Sequence, residues 1–197
     1  MEVVTQEPRM ELTNRSDTFE RVLIMGNGGT GKTWLSRRLG EQLRRPIIHL
    51  DDIHWEPGGD GTARDRTLRD AMVKTAAEAE SWVMEGVYGQ LVNMVLGRVT
   101  ALIWIDLPVE ACIANVKERG IQGGESETQF AGLLKWVAEY RIRKNNWNSF
   151  DAHAQLYSGF SGPKWLLQDR EAVTRFTDRL PRSASGFIDT GTEFGGA

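Results

Sequence analysis

Eight consecutive residues, Gly26-Asn27-Gly28-Gly29-Thr30-Gly31-Lys32-Thr33, have the types and order needed to grip a polyphosphate. They satisfy the pattern GxxxxGK[ST] at every fixed position. Glycines let successive backbone N–H groups converge on one anion without side-chain clashes. A helix starting behind the loop adds unpaired donors and about half a positive charge. In this pattern Lys32 reaches the β- and γ-phosphates and the Thr33 hydroxyl holds Mg²⁺. The whole run through Trp34 is therefore the candidate nucleotide-binding segment, with ATP and Mg²⁺ as the expected ligands.

Carboxylates form the second set. Asp51 and Asp52 close an apolar run, Glu85 closes another, and Asp106 a third. Phosphoryl transfer asks mainly for positioning and charge neutralisation, so few further groups are needed. Asp51 either orients an acceptor hydroxyl or is a carboxylate in a turn or helix cap. Glu85 either serves Mg²⁺ through water and orients the acceptor, or ends a turn before Gly86. Asp106, followed by Pro108 and a helix, is expected to cap that helix rather than hold metal. Arg119 and Arg141 are the candidate cations for the transferred phosphate, against readings as a helix-dipole partner and a solvated charge. His54 reads as structural, whereas Trp55 and Tyr88 could wall a ring. The other tryptophans, Trp34, Trp82, Trp104, Trp136, Trp147 and Trp165, read as packing residues, and Cys112 as inert core.

The elements that must carry these residues alternate between apolar strands and amphipathic helices. Strands are expected at Arg21–Met25, Ile47–Asp51, Ser81–Met84, Ala101–Ile105 and Lys164–Gln168. Between them lie a helix with Leu35, Leu39 and Leu43 on one face, stopped by Pro46, and one with Leu68, Met72, Ala76 and Ala79 inside. A short helix at Tyr88–Gly97 and one carrying Val109, Cys112, Ile113 and Val116 follow. A long helix runs from about Gln129 to Lys144, another over Ser149–Tyr157, and a last one starts at Asp169 and stops at Pro181. His54–Asp65 is turn-rich and reads as a loop. Such alternation means an α/β fold with a parallel sheet covered on both faces. Ligands in these sheets sit at the carboxyl ends of the strands, where the loop and the carboxylates fall.

With 197 residues, 40% hydrophobic and 26% charged, the chain suits one domain with a small lid. Residues 1–19 read as a loose extension, 20–181 as the domain with its lid at about 120–129, and 182–197 as a loose tail with a possible strand at 186–189. The net charge of −3 offers no footprint for nucleic acid. One cysteine excludes an internal disulfide and a cysteine-built metal site. Residues 1–20 lack a signal-peptide pattern and no apolar run reaches membrane-spanning length, so a cytoplasmic protein is expected.

The segments GNGGTGKTWLSRRLG, IIHLDDIHWEPG, WVMEGVYG and LIWIDLPVEACIANVKERG resemble the adenylate-kinase-like P-loop NTPases. The group they resemble most is the bacterial DNA topology modulation protein or adenylate-kinase-related family, over about residues 21–180. The resemblance implies a five-stranded parallel sheet of order 2-3-1-4-5, a mobile lid before the long helix, and ATP as phosphoryl donor. Lids of that family carry basic residues, whereas Ile121–Thr128 have none and include Glu125 and Glu127.

Two functions follow as expectations. One is an ATP- and Mg²⁺-dependent kinase acting on an unidentified small molecule. The other is an ATP-binding regulatory protein with little or no phosphotransfer. Carboxylates at the acceptor end repel a dianionic nucleotide and favour an uncharged hydroxyl, unless Arg64 and Arg66 fold inward.

Overall fold

The computed structural model describes residues 16–58, 61–122, 125–144 and 146–180. Five strands, β1 (Arg21–Gly26), β2 (Ile47–His49), β3 (Trp82–Gly86), β4 (Ala101–Ile105) and β5 (Lys164–Leu167), form one sheet of order β2-β3-β1-β4-β5. Every neighbouring pair is parallel. The five-stranded α/β architecture and its strand order thus match the expectation.

The helices are α1 (Lys32–Leu43), α2 (Leu50–His54), α3 (Arg66–Ala77), α4 (Gly89–Val95), α5 (Val109–Arg119), α6 (Glu127–Ala138), α7 (Phe150–Gly159) and α8 (Arg170–Asp178). Side chains alternate across a strand, so β1 feeds two cores at once. Val22 and Ile24 join Leu35, Leu39, Cys112, Val116 and Phe176 on one face. Leu23 and Met25 join Leu50, Val73, Met84, Leu91 and Trp104 on the other. All four β1 residues are fully buried. Each contributes about 1.5–3 kcal/mol by leaving water, which makes β1 the axis of the domain.

Several boundaries differ from the sequence reading. The second strand stops at His49, and Asp51 and Asp52 lie in α2. Leu50 is the cause: it packs so closely over Gly86 that a Cβ there would lie 2.7 Å from its own Cβ. Burying Leu50 turns the chain off the sheet immediately. Leu68 is exposed, and Val73 and Ala77 are the buried residues of α3. The long helix begins at Glu127 on a Ser126–Gln129 capping box and ends at Ala138, passing into a 3₁₀ turn over Glu139–Arg141. Trp34 and Trp147 are exposed rather than packed. Phe19, placed by the sequence reading in the extension, is buried and stacks on Trp165 at 5.4 Å. The possible strand at 186–189 lies outside the described residues. Among the described residues no helix is long and apolar enough to cross a membrane.

A buried polar chain joins α7 to the sheet. The His153 Nε2 atom lies 3.0 Å from the Val87 carbonyl, and its Nδ1 2.7 Å from the Tyr140 hydroxyl. Trp104 Nε1 donates to that hydroxyl at 3.3 Å. A consistent assignment has Nε2–H donating to Val87 and Nδ1 accepting from Tyr140, so the ring is neutral. Burial lowers its pKa from 6.5 to about 4. The unfolded chain therefore takes up this proton before the folded one does, and the contribution present above pH 6.5 is lost as pH falls toward 4. At about 1.4 kcal/mol per unit the loss is roughly 3 kcal/mol. Denaturant melts at pH 7 and pH 4.5 should show it, and His153→Gln should remove about that much of the pH dependence.

Candidate active site

The phosphate loop is held from both sides by close backbone packing and by amide side chains bonded to main-chain carbonyls. Gly29 has φ +77°, and a Cβ there would lie 2.3 Å from the Cys112 carbonyl of α5. Its own carbonyl accepts from Asn115 Nδ2 at 2.7 Å. The Asn27 side chain is buried; its Nδ2 donates to the Val137 carbonyl of α6 at 2.9 Å and its Oδ1 accepts from the Gly28 N–H at 2.8 Å. Asn27 thus shapes the loop from behind with its side chain. Thr30 Oγ1 donates to the Asn27 carbonyl, and Gly31, left-handed at φ 87°, starts α1. Only glycine takes these positions without strain.

Lys32 curls into the loop, its Nζ donating to the Asn27 carbonyl at 2.7 Å. Burial lowers its pKa, while the negative charges of Glu85 and Asp51 act to raise it. Both carboxylates therefore lie within electrostatic reach of the lysine. Arg119, exposed at the end of α5, acts on Lys32 in the opposite sense and shares that rim.

Parallel register lines up the strand tips. His49 is level with Glu85, Met25 with Gly86 and Trp104, and Ile105 with Leu167. Glu85 is the last side chain of β3 and is buried. Its Oε1 accepts from the Thr33 hydroxyl at 3.0 Å and lies 2.7 Å from His49 Nδ1. The two candidate magnesium groups thus touch each other. Among the described residues no cluster of three or more His, Cys, Asp or Glu could hold a metal ion alone. Magnesium typically uses one or two carboxylates, waters and substrate phosphate oxygens, so a hydroxyl and one carboxylate beside a phosphate loop fit it.

Asp51 stands in the first turn of α2 and is exposed. The Tyr88 hydroxyl donates to its Oδ1 at 2.5 Å. Burial and the adjacent Asp51 charge raise the Tyr88 pKa, keeping the phenol a donor. His54 stacks on Tyr88 at 4.2 Å, and Trp55 meets His54 edge-on at 4.5 Å. Burial lowers the His54 pKa, with the Arg69 charge acting in the same direction. Asp52 is exposed beside Asp51.

Arg141 is elsewhere engaged. Its Nη2 donates to both oxygens of the buried Asp106 at 2.8 and 2.9 Å, and its guanidinium lies 4.3 Å from the Phe150 ring centre. Asp106 therefore does not cap α5, whose N-cap is Pro108 without a side-chain bond. A buried carboxylate needs a partner, and Arg141 supplies it. This pair borders an open cavity of about 460 Å³ between the ends of β4 and β5, which Pro108, Val109 and Gln168 also line. Cys112 is buried and its thiol is pushed up to about 11, so it stays protonated as expected of core.

Sequence reasoning missed His49 and the Asp106–Arg141 pair. The strand-end rule that selected Glu85 would also have selected His49, two residues before Asp51. Nothing local signals a partner for Asp106 that lies 35 residues away.

A parallel sheet of this order with a glycine-rich phosphate loop after β1 defines the P-loop kinase fold. No protein-family model matches the chain, and no curated protein matches it. Among solved structures it is similar to a gluconokinase from Sinorhizobium meliloti 1021, at 14% identity over 82% of this chain and 95% of that one, TM-score 0.50. It is also similar to shikimate kinase from Acinetobacter baumannii in complex with shikimate, at 19% identity over 83% and 93%, TM-score 0.49. Deoxyadenosine kinase from M. mycoides with bound dCTP matches at 14% identity over 80% and 97%, TM-score 0.42. Such identities show a shared fold alone.

Because Gly29 combines a positive φ with contact against α5, Gly29→Ala should cost about 2 kcal/mol or more in stability. Differential scanning calorimetry, with ATP titration of the folded fraction, should show a lower Tm and nucleotide affinity reduced at least tenfold.

Proposed function

We propose that this protein is an ATP- and Mg²⁺-dependent kinase that transfers the γ-phosphoryl group to a small molecule. The observation that carries this reading is the convergence on one rim of the phosphate loop, the Thr33–Glu85 contact and the exposed Asp51. The resemblance to the adenylate-kinase-related family supports the same reading. Residues 20–181 form the kinase unit, with a lid at about 120–129 and the segments 1–19 and 182–197 flanking it, and the protein acts in the cytoplasm.

In this mechanism the loop amides from Gly26 to Gly31 and Lys32 hold the β- and γ-phosphates, with Trp34 beside them at the start of α1. Lys32 must leave the Asn27 carbonyl to do so, which exchanges a neutral acceptor for a charged one. Thr33, and Glu85 through water, would hold Mg²⁺, which neutralises phosphate charge. His49 holds the same Glu85 oxygen that Thr33 touches, fixing the carboxylate as second partners of metal carboxylates do. Asp51, pinned through Oδ1 by Tyr88, uses its other oxygen to orient the acceptor hydroxyl and take its proton. The acceptor oxygen bonds to the γ-phosphorus, the bond to the departing ADP breaks, and the proton passes from Asp51 to water. Arg119 neutralises charge on the transferred group. Arg141 does so only by exchanging Asp106 for phosphate.

A second reading, an ATP-binding regulator with little transfer, is favoured by the acidic lid and by the Arg141–Asp106 pair.

The kinase reading expects Lys32→Ala to abolish transfer. Asp51→Asn should keep ATP affinity within about twofold while lowering kcat on the order of 10²-fold or more. Calorimetric ATP titration together with acceptor-stimulated ADP release measures both; unchanged turnover in Asp51→Asn would remove its role.

A further inference from the structure

Resting on the kinase reading, we propose that the acceptor is a cyclic alcohol bearing no anionic group, either neutral or amine-substituted, whose ring lies against Trp55. The proposal comes from where the guanidinium groups of the acceptor side are placed. Arg64 does fold inward, but not toward the cleft. Its side chain donates to the carbonyls of Ile53, Asp52 and Trp55, closing the C-terminal end of α2, and pairs with Glu56 at 3.1 Å. Open carbonyls at a helix end need such donors, so this arginine is part of the framework. Arg69 reaches His54 electrostatically, but its Nε and Nη2 both donate to Asp70, at 3.0 and 2.7 Å. Arg66 is 74% exposed, in solvent that screens it, and its Nε lies 3.9 Å from Asp70.

Among these described groups, Asp51, Asp52, Glu56 and Asp70 stand against Arg64, Arg66 and Arg69, leaving one net negative charge. A phosphomonoester dianion bound there would add charge of the same sign, and the guanidinium forks of Arg64 and Arg69 are already engaged by carbonyls and by Asp70. A carboxylate acceptor meets the same field at half the charge. A neutral hydroxyl meets one carboxylate oxygen suited to its proton, and an ammonium group gains from the surplus. The wall beside Asp51 is flat and aromatic: Trp55, 39% exposed, is fixed edge-on to His54, itself stacked on the buried Tyr88. Rigid aromatic faces suit rings, and they also attract cations.

The test is a panel of acceptors with full-length protein, Mg²⁺ and ATP, following both ADP release and phosphorylated product. The probes are adenosine, cytidine, myo-inositol and glucosamine as non-anionic rings, against AMP, CMP and gluconate as anions. At least one non-anionic ring should be phosphorylated with kcat/KM ten or more times that of every anion. Its product should fall with Trp55→Ala mainly through a higher KM. Asp52→Lys should narrow the gap by threefold or more. A best acceptor among the anions, or no transfer to any non-anionic ring by protein that binds ATP, overturns the proposal. Failure of the wild type to bind Mg²⁺ and ATP at all instead overturns the kinase reading beneath it.

Discussion

Close approach of backbone to backbone around the phosphate loop is the constraint on which the rest of the structure depends. Gly29 lies against the Cys112 carbonyl, and Asn27 reaches across to the Val137 carbonyl, so α5 and α6, which also pack on each other, are both registered on the loop. A loop that must present its N–H groups outward has to have its carbonyls and side chains satisfied inward. Asn27, Thr30 and Asn115 do that. The β1 strand, fully buried from Val22 to Met25, fixes where this assembly sits, since both cores close on it.

From that fixed point the candidate site follows by register. Parallel pairing sets Glu85 level with Ile24, two positions short of the β1 tip, and directly across from His49, which brings the Glu85 carboxylate onto the Thr33 hydroxyl. The acceptor side is organised differently. There the chain leaves the sheet early because Leu50 must be buried over Gly86, and a short helix lifts Asp51 toward Tyr88. One carboxylate is buried and bonded on the phosphate side; the other is exposed and held at one oxygen on the acceptor side.

Charge pairing divides the arginines into framework and candidate site. Arg64 and Arg143 mainly satisfy carbonyls, Arg143 also lying over Trp136, and Arg141 neutralises a buried aspartate. Arg119 is left near the lysine of the loop. The kinase reading and the charge preference of its acceptor both rest on this division.

Local signals in the sequence were enough for the strands, the phosphate loop and the α/β class. Glycine spacing and apolar runs encode backbone geometry directly, and a strand buried on both faces is continuous in hydrophobicity. The positions of Glu85 and Asp51 beside the loop and the neighbouring turn were legible for the same reason, as carboxylates that end apolar runs. Which charge meets which was decided only by the tertiary structure. Asp106 could not be told from a helix cap, nor Arg141 from a surface charge, until packing of the turn after α6 brought them together across 35 residues. The same holds for Leu68, Trp34 and Trp147, whose apolar character gave no sign that neighbouring helices leave them uncovered. Helical and strand periods are properties of a few consecutive residues. Burial and ion pairing are set by segments the chain brings back from far away, and no window along the sequence contains both partners.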